Sequence, residues 1–539
     1  MGNVILITGS TGFVGKVVVE TLFRCRASFP FDKIVVLVRA NQSKTARERF
    51  LDLAEKSPCF SLLPTSWVDD VRVIEGDMGE DDCGIADKDD AKYLYENTTH
   101  IIHCAASISF SAAADVLLRE NVGSSLNLLA LARRCPKLHH AVLTSTAYVT
   151  PWTTEPIHEQ LVPLPLPAAE LCERLRSGAL SGDAALKLTG HPNLYTMTKC
   201  LAEHVVSDAR ANLPLTIVRP SIVSAAWQYP MPGWIDSFAA VTGVFTGVWM
   251  GVLRVVRGNL KTILDIVPVD NVAMSLVSTC LADVPQIESG SACTSYPLRI
   301  FHATTGMQHN IHAVQVYRIM TSKRLPAHPT MKPNLRYYGQ NALWLPVADF
   351  VHQAVPVALG RAWAAVSGNA KLAKNLTKAR RMQQSCNALF AHFGSHAYDF
   401  RSSRSPLDAA FEADEYLERV FRGAGRFLLK LDVSLQTVAM EKLYSDNESG
   451  SETAACASSG LGSDSGSSSS GGDDDSSSTD DGDSESGGSP ASSIMDVAGV
   501  TNGDAAKTED ELLVELVESD SLLPEKNSGA VVTAVAIAL

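Results

Sequence analysis

The 11 cysteines of this 539-residue chain include no CxxC pair, are odd in number and lie scattered. That spacing excludes a disulfide frame and a cysteine zinc site, and it points to a reducing compartment with the thiols in the core. No metal site is expected. Nor is there an uncharged run long enough to cross a bilayer. The strongest candidate, Ser237 to Leu253, is interrupted by Ser, Thr and Gly, and it falls short of the roughly 20 apolar residues that a spanning helix needs. It reads as a core helix or one that lines an acyl pocket. The first apolar run begins at Asn3, which leaves no room for a basic and apolar leader. No dense basic stripe is present, so nucleic acid is not an expected partner.

Negative charge is scarce where the apolar runs are and abundant at the end. The net charge is -13, but residues 445–539 carry 20 acidic residues against Lys507 and Lys526. The rest of the chain holds 44 basic and 39 acidic residues, a mildly basic body that suits polyanionic small molecules or an anionic membrane surface. Residues 445–490 contain 11 acidic residues, no Lys or Arg, and otherwise mostly Ser and Gly. Such a segment cannot bury enough apolar surface to offset its ordering entropy, so a disordered tail is expected. Beyond it, Glu509 to Val517 reads as a short helix. The terminal "AVVTAVAIAL" is too short to span a bilayer and fits a weak anchor or a docking peptide.

What is present begins with "ILITGSTGFVGK" at residues 5–16. A buried strand stops at a turn with Gly9, Gly12 and Gly15, and a helix follows. That arrangement presents free amides at a helix start to an anion, with the spacing GxxGxxG rather than GxGxxG. Further apolar runs at 33–40, 71–78, 99–107, 140–149 and 215–223 do not alternate, as in strands covered on both faces. Helical stretches such as Val116 to Arg134 and Tyr195 to Ala211 lie between them. This order predicts an α/β fold with a doubly wound parallel sheet, Rossmann-like, and a ligand at the carboxyl ends of the strands.

Three side chains stand out for chemistry. In "YTMTK", Tyr195 and Lys199 fall at i and i+4, one above the other on a helix. An ammonium beside a phenol favours the phenolate, so Lys199 is expected to lower the Tyr195 pKa. The end of the fifth strand, "LTSTAYV", offers Ser145 and Thr146 as hydroxyls that polarise a carbonyl oxygen, with Thr146 preferred. After the second strand stands Arg39 instead of an acid, which favours the 2′-phosphate of NADPH over NAD. Cys200 reads as packing and not as a nucleophile.

"TGSTGFVGK", "STAYV" and "YTMTK" together resemble the extended short-chain dehydrogenase/reductases. "VRPSIV" at 218–223, "PMPGWIDSF" at 230–238 and "DIVPVDNV" at 265–272 narrow the resemblance to the fatty acyl-CoA reductases, or male-sterility family. It covers most of residues 3–435. Residues 345–435 resemble the family's small helical C-terminal domain more weakly, because the segment around "SHAYDF" lacks a tryptophan expected there. The implied organisation is an NADPH-binding catalytic unit at 1–330, a helical domain at 340–440 and the acidic tail at 445–539.

The resemblance implies NADPH-dependent reduction of a long-chain fatty acyl-CoA to an aldehyde and then an alcohol, with release of CoA. Tyr195, Lys199 and Thr146 would be catalytic. Gly9, Thr11, Gly12, Phe13 and Gly15 would surround the pyrophosphate, Asp77 and Met78 the adenine, and Ala105 and Ala106 the inner cofactor face; Pro220 and Ile222 would border the nicotinamide. Pro232, Gly233 and Trp234 are expected at the substrate or in the core. The basic run "NAKLAKNLTKARR" at 369–381 fits CoA phosphates, anionic headgroups or a solvated face, and the helix pair around 344–364 fits packing or an interface. Location is expected in the cytoplasm or peripherally on an ER or peroxisome surface. Two alternatives stay open: an extended dehydrogenase or epimerase acting on a sugar nucleotide or sterol, and a non-catalytic nucleotide-binding interaction protein.

Overall fold

The computed structural model describes residues 2–283, 296–306, 309–321, 334–404, 407 and 410–431. The acidic tail expected to be disordered lies outside the described residues. Strands β1 (Val4–Thr8), β2 (Lys33–Val38), β3 (Val71–Glu75), β4 (His100–His103), β5 (His140–Thr144) and β6 (Leu215–Pro220) are joined by an edge strand, Arg299–Ala303. Together they make one seven-stranded sheet in the order β3-β2-β1-β4-β5-β6-edge. Every pairing is parallel. The interior strands are uninterrupted apolar runs because helices cover both faces, and Ile5, Leu6 and Ile7 have no exposed surface at all. The strand order reverses between β1 and β4, and a crevice opens there at the carboxyl ends.

The expected sixth strand at 215–223 divides in two. Leu215–Pro220 stays in the large sheet, whereas Ile222–Ser224 leaves it to pair with Ile266–Pro268. The chain thereby bends outward at the edge of the crevice. The helical stretch after β4 runs as Ala114–Leu117, a π turn at Leu118–Gly123, and Ser124–Arg133.

The uncharged stretch at 237–253 forms a shorter helix, Val241–Trp249, whose residues are all buried. Its partners come from the C-terminal helices. Phe245 stacks on Phe421 with centroids 4.4 Å apart, and Trp249, Met382, Tyr416 and Leu417 join the same cluster. Phe421 belongs to the helix Ala413–Gly423, which crosses the "PGW" segment so closely that a Cβ on Gly423 would lie 1.7 Å from the Gly233 carbonyl oxygen. Gly233 itself has φ +75°, so this crossing needs glycine on both sides. Among the described residues no helix is long and apolar enough to cross a membrane.

Candidate active site

The glycine turn follows β1, and each glycine there meets a different constraint. Gly9 has φ +72°, and a Cβ on it would lie 2.6 Å from the Ala105 amide nitrogen. A Cβ on Gly15 would lie 2.1 Å from the Gly9 carbonyl oxygen. Gly12 is exposed and begins the helix Phe13–Arg24 without a side-chain cap and with no acid in the first turn. An uncapped helix start with a bare backbone suits an anion. Thr11 and Phe13 are half-buried beside it. Phe13 stacks on Trp234 at 5.6 Å, and Lys16 pairs with Asp236. Trp234 is fully buried, so it belongs to the core against this turn and is not a substrate contact.

Tyr195 and Lys199 project from the helix Leu194–Ala209, whose start is fixed by Asn193 accepting from the Thr196 amide at 2.9 Å. Thr146, just beyond β5, lies near enough to the Tyr195 hydroxyl to favour its ionised form. Thr146 also contacts the Pro220 carbonyl at 3.4 Å, across from the end of β6. Lys199 is buried, and its Nζ donates to the Thr144 carbonyl at 2.8 Å. The three side chains from β5 and this helix therefore converge at the carboxyl edge of the sheet.

The electrostatics differ from the expectation of a phenol tuned downward. Burial pushes the Tyr195 hydroxyl up to about 12, with Thr146 working the other way. Burial pulls the Lys199 ammonium down to about 8, partly offset by Glu203 and Cys104. The reason is where the amine is satisfied: its hydrogen bond goes to a carbonyl on β5, so desolvation dominates both groups. Tyr195 is thus a protonated acid at neutral pH. Cys200 is buried and its thiol pushed up to about 12, which fits packing.

Side chains from distant segments surround Tyr195 and its neighbours. Phe110 lies edge-on to Tyr195 at 5.4 Å, and Phe393 contacts Tyr148 at 5.0 Å. Phe393 ends the long helix Ala370–Phe393, so the C-terminal helical part roofs the site. Asn121, in the π turn, accepts from the Ser107 amide at 2.9 Å and donates to Thr198 at 3.1 Å. It ties the loop after β4 to the helix of Tyr195. Beneath them, Arg219 on β6 grips Glu203 with two bonds, 2.9 and 2.5 Å, and both side chains are buried. The sequence reading named none of these. Arg219, a charge inside an apolar strand, was the one local signal of a buried partner.

The remaining candidates line the same edge. Arg39 follows β2 exposed and pairs with Asp77 at 3.7 Å beyond β3. Met78 packs its side chain into the core, and its carbonyl accepts from Asn127 at 2.9 Å. Ala105 is half-buried and Ala106 exposed after β4, and Pro220 is buried and Ile222 half-buried at the bend after β6. Ser10 Oγ, His103 Nε2 and Ser145 Oγ, at the ends of β1, β4 and β5, are buried with no protein partner. Buried polar atoms are normally paired. Their convergence with the bare glycine turn fits a phosphate-bearing dinucleotide along this edge.

Known proteins give the same picture. Residues 7–276 match the male sterility protein family, an NAD-binding domain. The chain is 31% identical over 466 residues to fatty acyl-CoA reductase 1 of Xenopus laevis, covering 80% of this chain and 86% of that protein. It is 28% identical over 467 residues to human fatty acyl-CoA reductase 2, covering 82% and 88% respectively. The terminal R domain of the myxalamid PKS-NRPS pathway is similar in fold, with a TM-score of 0.54, 20% identity, and coverage of 80% of this chain and 92% of that one. The reductase domain of a non-ribosomal peptide synthetase from Mycobacterium tuberculosis gives 0.51 at 17% identity, covering 79% and 92%. With this matched span and the Rossmann-like sheet beneath it, the chain belongs to the fatty acyl-CoA reductase, or male sterility, family.

Proposed function

We propose that this chain reduces a long-chain fatty acyl-CoA with NADPH, first to the aldehyde and then to the primary alcohol, releasing CoA. The observation that carries the reading is the placing of Tyr195 and buried Lys199 on one helix against the end of β5, where Lys199 donates to the Thr144 carbonyl and Thr146 lies beside Tyr195, at the sheet edge that holds the glycine turn. The catalytic unit spans 1–330, with the helical domain of 340–440 supplying Phe393 as part of its roof.

When bound, the dinucleotide supplies a hydride to the thioester carbonyl carbon. Thr146 donates a hydrogen bond to the carbonyl oxygen as it gains charge, and Tyr195 delivers the proton to it. A phenol held near 12 is well matched to an alkoxide, which is a far stronger base. As the C–S bond breaks, the hemithioacetal hydroxyl returns its proton to the Tyr195 phenolate, CoA leaves as the thiolate, and the aldehyde remains beside Phe110 and Phe393. With a second equivalent of NADPH the same residues reduce the aldehyde to the alcohol, and solvent reprotonates Tyr195. Lys199, charged below pH of about 8, holds the ribose. Gly9, Thr11, Gly12, Phe13 and Gly15 hold the pyrophosphate. Asp77, Met78, Ala105, Ala106, Pro220 and Ile222 border the rest.

The preference for NADPH rests on Arg39. It is exposed and tethered to Asp77 only at 3.7 Å, so its guanidinium is free to pair with a 2′-phosphate. Palmitoyl-CoA-dependent oxidation of NADPH should therefore exceed that of NADH. Arg39→Ala should raise KM for NADPH about ten- to hundredfold, the worth of one charged hydrogen bond, and leave NADH little affected. No oxidation with either cofactor across a series of acyl-CoA chain lengths would overturn the reading. Equal KM values for parent and variant would remove only the assignment of Arg39.

A further inference from the structure

The largest apolar surface left uncovered lies on the helical run Trp344–Asp349, Phe350–Ala354 and Val355–Val366. Of the fourteen large apolar side chains exposed among the described residues, eight fall in 343–366. They include Leu343 at 79%, Trp344 at 64% and Val366 at 85% exposure. The opposite side of the same run is buried through Gln353, Val357, Gly360 and Ala364. Asp349, the nearest acid, is turned inward and held by Arg380 at 2.9 and 2.6 Å. The run is therefore a two-sided helix with its polar anchors inside and Trp344, Val347, Phe350, Val351, Leu359 and Trp363 outside. Patches of this kind on a folded protein mark an interaction site.

Charge decides the occupant. No acidic residue occurs between Asp349 and Asp399, a stretch that holds Arg361, Lys371, Lys374, Lys378, Arg380 and Arg381. Arg361, Lys371, Lys374 and Arg381 are exposed. Two copies meeting through this face would bring together two basic hairpins without a single carboxylate from the hairpin to offset them. An anionic bilayer surface supplies both the apolar layer and the negative charge. Tryptophans at both ends of the face suit the headgroup boundary.

We infer that the helical run 343–366, with the start of Ala370–Phe393, is a docking face for an anionic membrane, which it lies on and does not cross. The long helix then leads from that surface to the site: from Lys371 to Phe393 it rises about 33 Å, ending against Tyr148.

The test is cosedimentation of the full chain with phosphatidylcholine vesicles, pure or with about a third phosphatidylserine, without cofactor or substrate, so that it stands apart from any reductase activity. The parent should partition at least tenfold better onto the anionic vesicles. Joint Trp344→Ser, Phe350→Ser and Trp363→Ser should lower partitioning at least tenfold on both vesicle types at unchanged circular dichroism. Joint Lys371→Glu and Lys374→Glu should remove only the anionic preference. Binding by the triple variant equal to that of the parent would overturn the proposal. So would a parent dimer that the triple variant turns into a monomer, since a second copy would then be the occupant.

Discussion

Replacing Tyr195 by Phe is expected to lower palmitoyl-CoA turnover roughly 10²- to 10⁴-fold, the usual worth of a placed general acid, while leaving NADPH affinity nearly unchanged. The phenyl ring keeps its edge contact with Phe110 at 5.4 Å, so the packing there survives. Only the hydroxyl beside Thr146 is lost. The pH profile carries a second signature of the same cluster. Tyr195, pushed up to about 12, stays protonated throughout the working range, whereas Lys199, pulled down to about 8, loses its charge as pH rises through that value. Turnover should accordingly be level below pH of about 8 and fall above it. Steady-state kinetics of parent and variant, with cofactor binding followed by fluorescence, checks both points. Unchanged turnover in Tyr195→Phe would show that another group delivers the proton.

Glu203→Gln is expected to destabilise the protein by about 3–5 kcal/mol, the cost of leaving one buried charge without its partner. Arg219 is fully buried and holds Glu203 by two bonds, with a third to the Gln160 carbonyl at 2.9 Å. With the carboxylate replaced by an amide, the guanidinium keeps one side-chain oxygen, the Gln160 carbonyl and the ring of His302, a neutral imidazole pulled down to about 4, but no counter-charge. The same substitution removes the charge that supports the Lys199 ammonium, so the alkaline fall in turnover should move to lower pH. Joint Glu203→Leu and Arg219→Leu should cost less than the single change, because no orphaned charge remains. Urea unfolding of the parent and the two variants measures the stabilities. A single-variant loss below about 1 kcal/mol would show that water reaches the pair.

The central sheet was legible because strands covered on both faces read as unbroken apolar runs, as β1, β2 and β5 do. The edge strand Arg299–Ala303 was not. One of its faces is half-open, it begins with Arg299, and Phe301 is only partly covered, so its apolar signal is weak. The spacing of Tyr195 and Lys199 placed them on one helix, but a spacing does not say where an amine finds its acceptor. The Thr144 carbonyl that accepts the Lys199 hydrogen bond comes from a strand 55 residues earlier. Phe110, Asn121 and Phe393 reach the site from three separate segments, and such contacts leave no local pattern. The glycine turn was legible because its constraints act within a few residues and, beyond them, only against the Cys104–Ala105 backbone.

The most direct test of hydride delivery at this cluster is the fate of label from NADPH deuterated at both C4 positions, incubated with the full chain and palmitoyl-CoA. The fatty alcohol should carry deuterium at both carbinol positions, and Tyr195→Phe should form it roughly 10²- to 10⁴-fold more slowly. Alcohol that lacks deuterium at that carbon, or NADPH consumed without any labelled aldehyde or alcohol, would contradict the account.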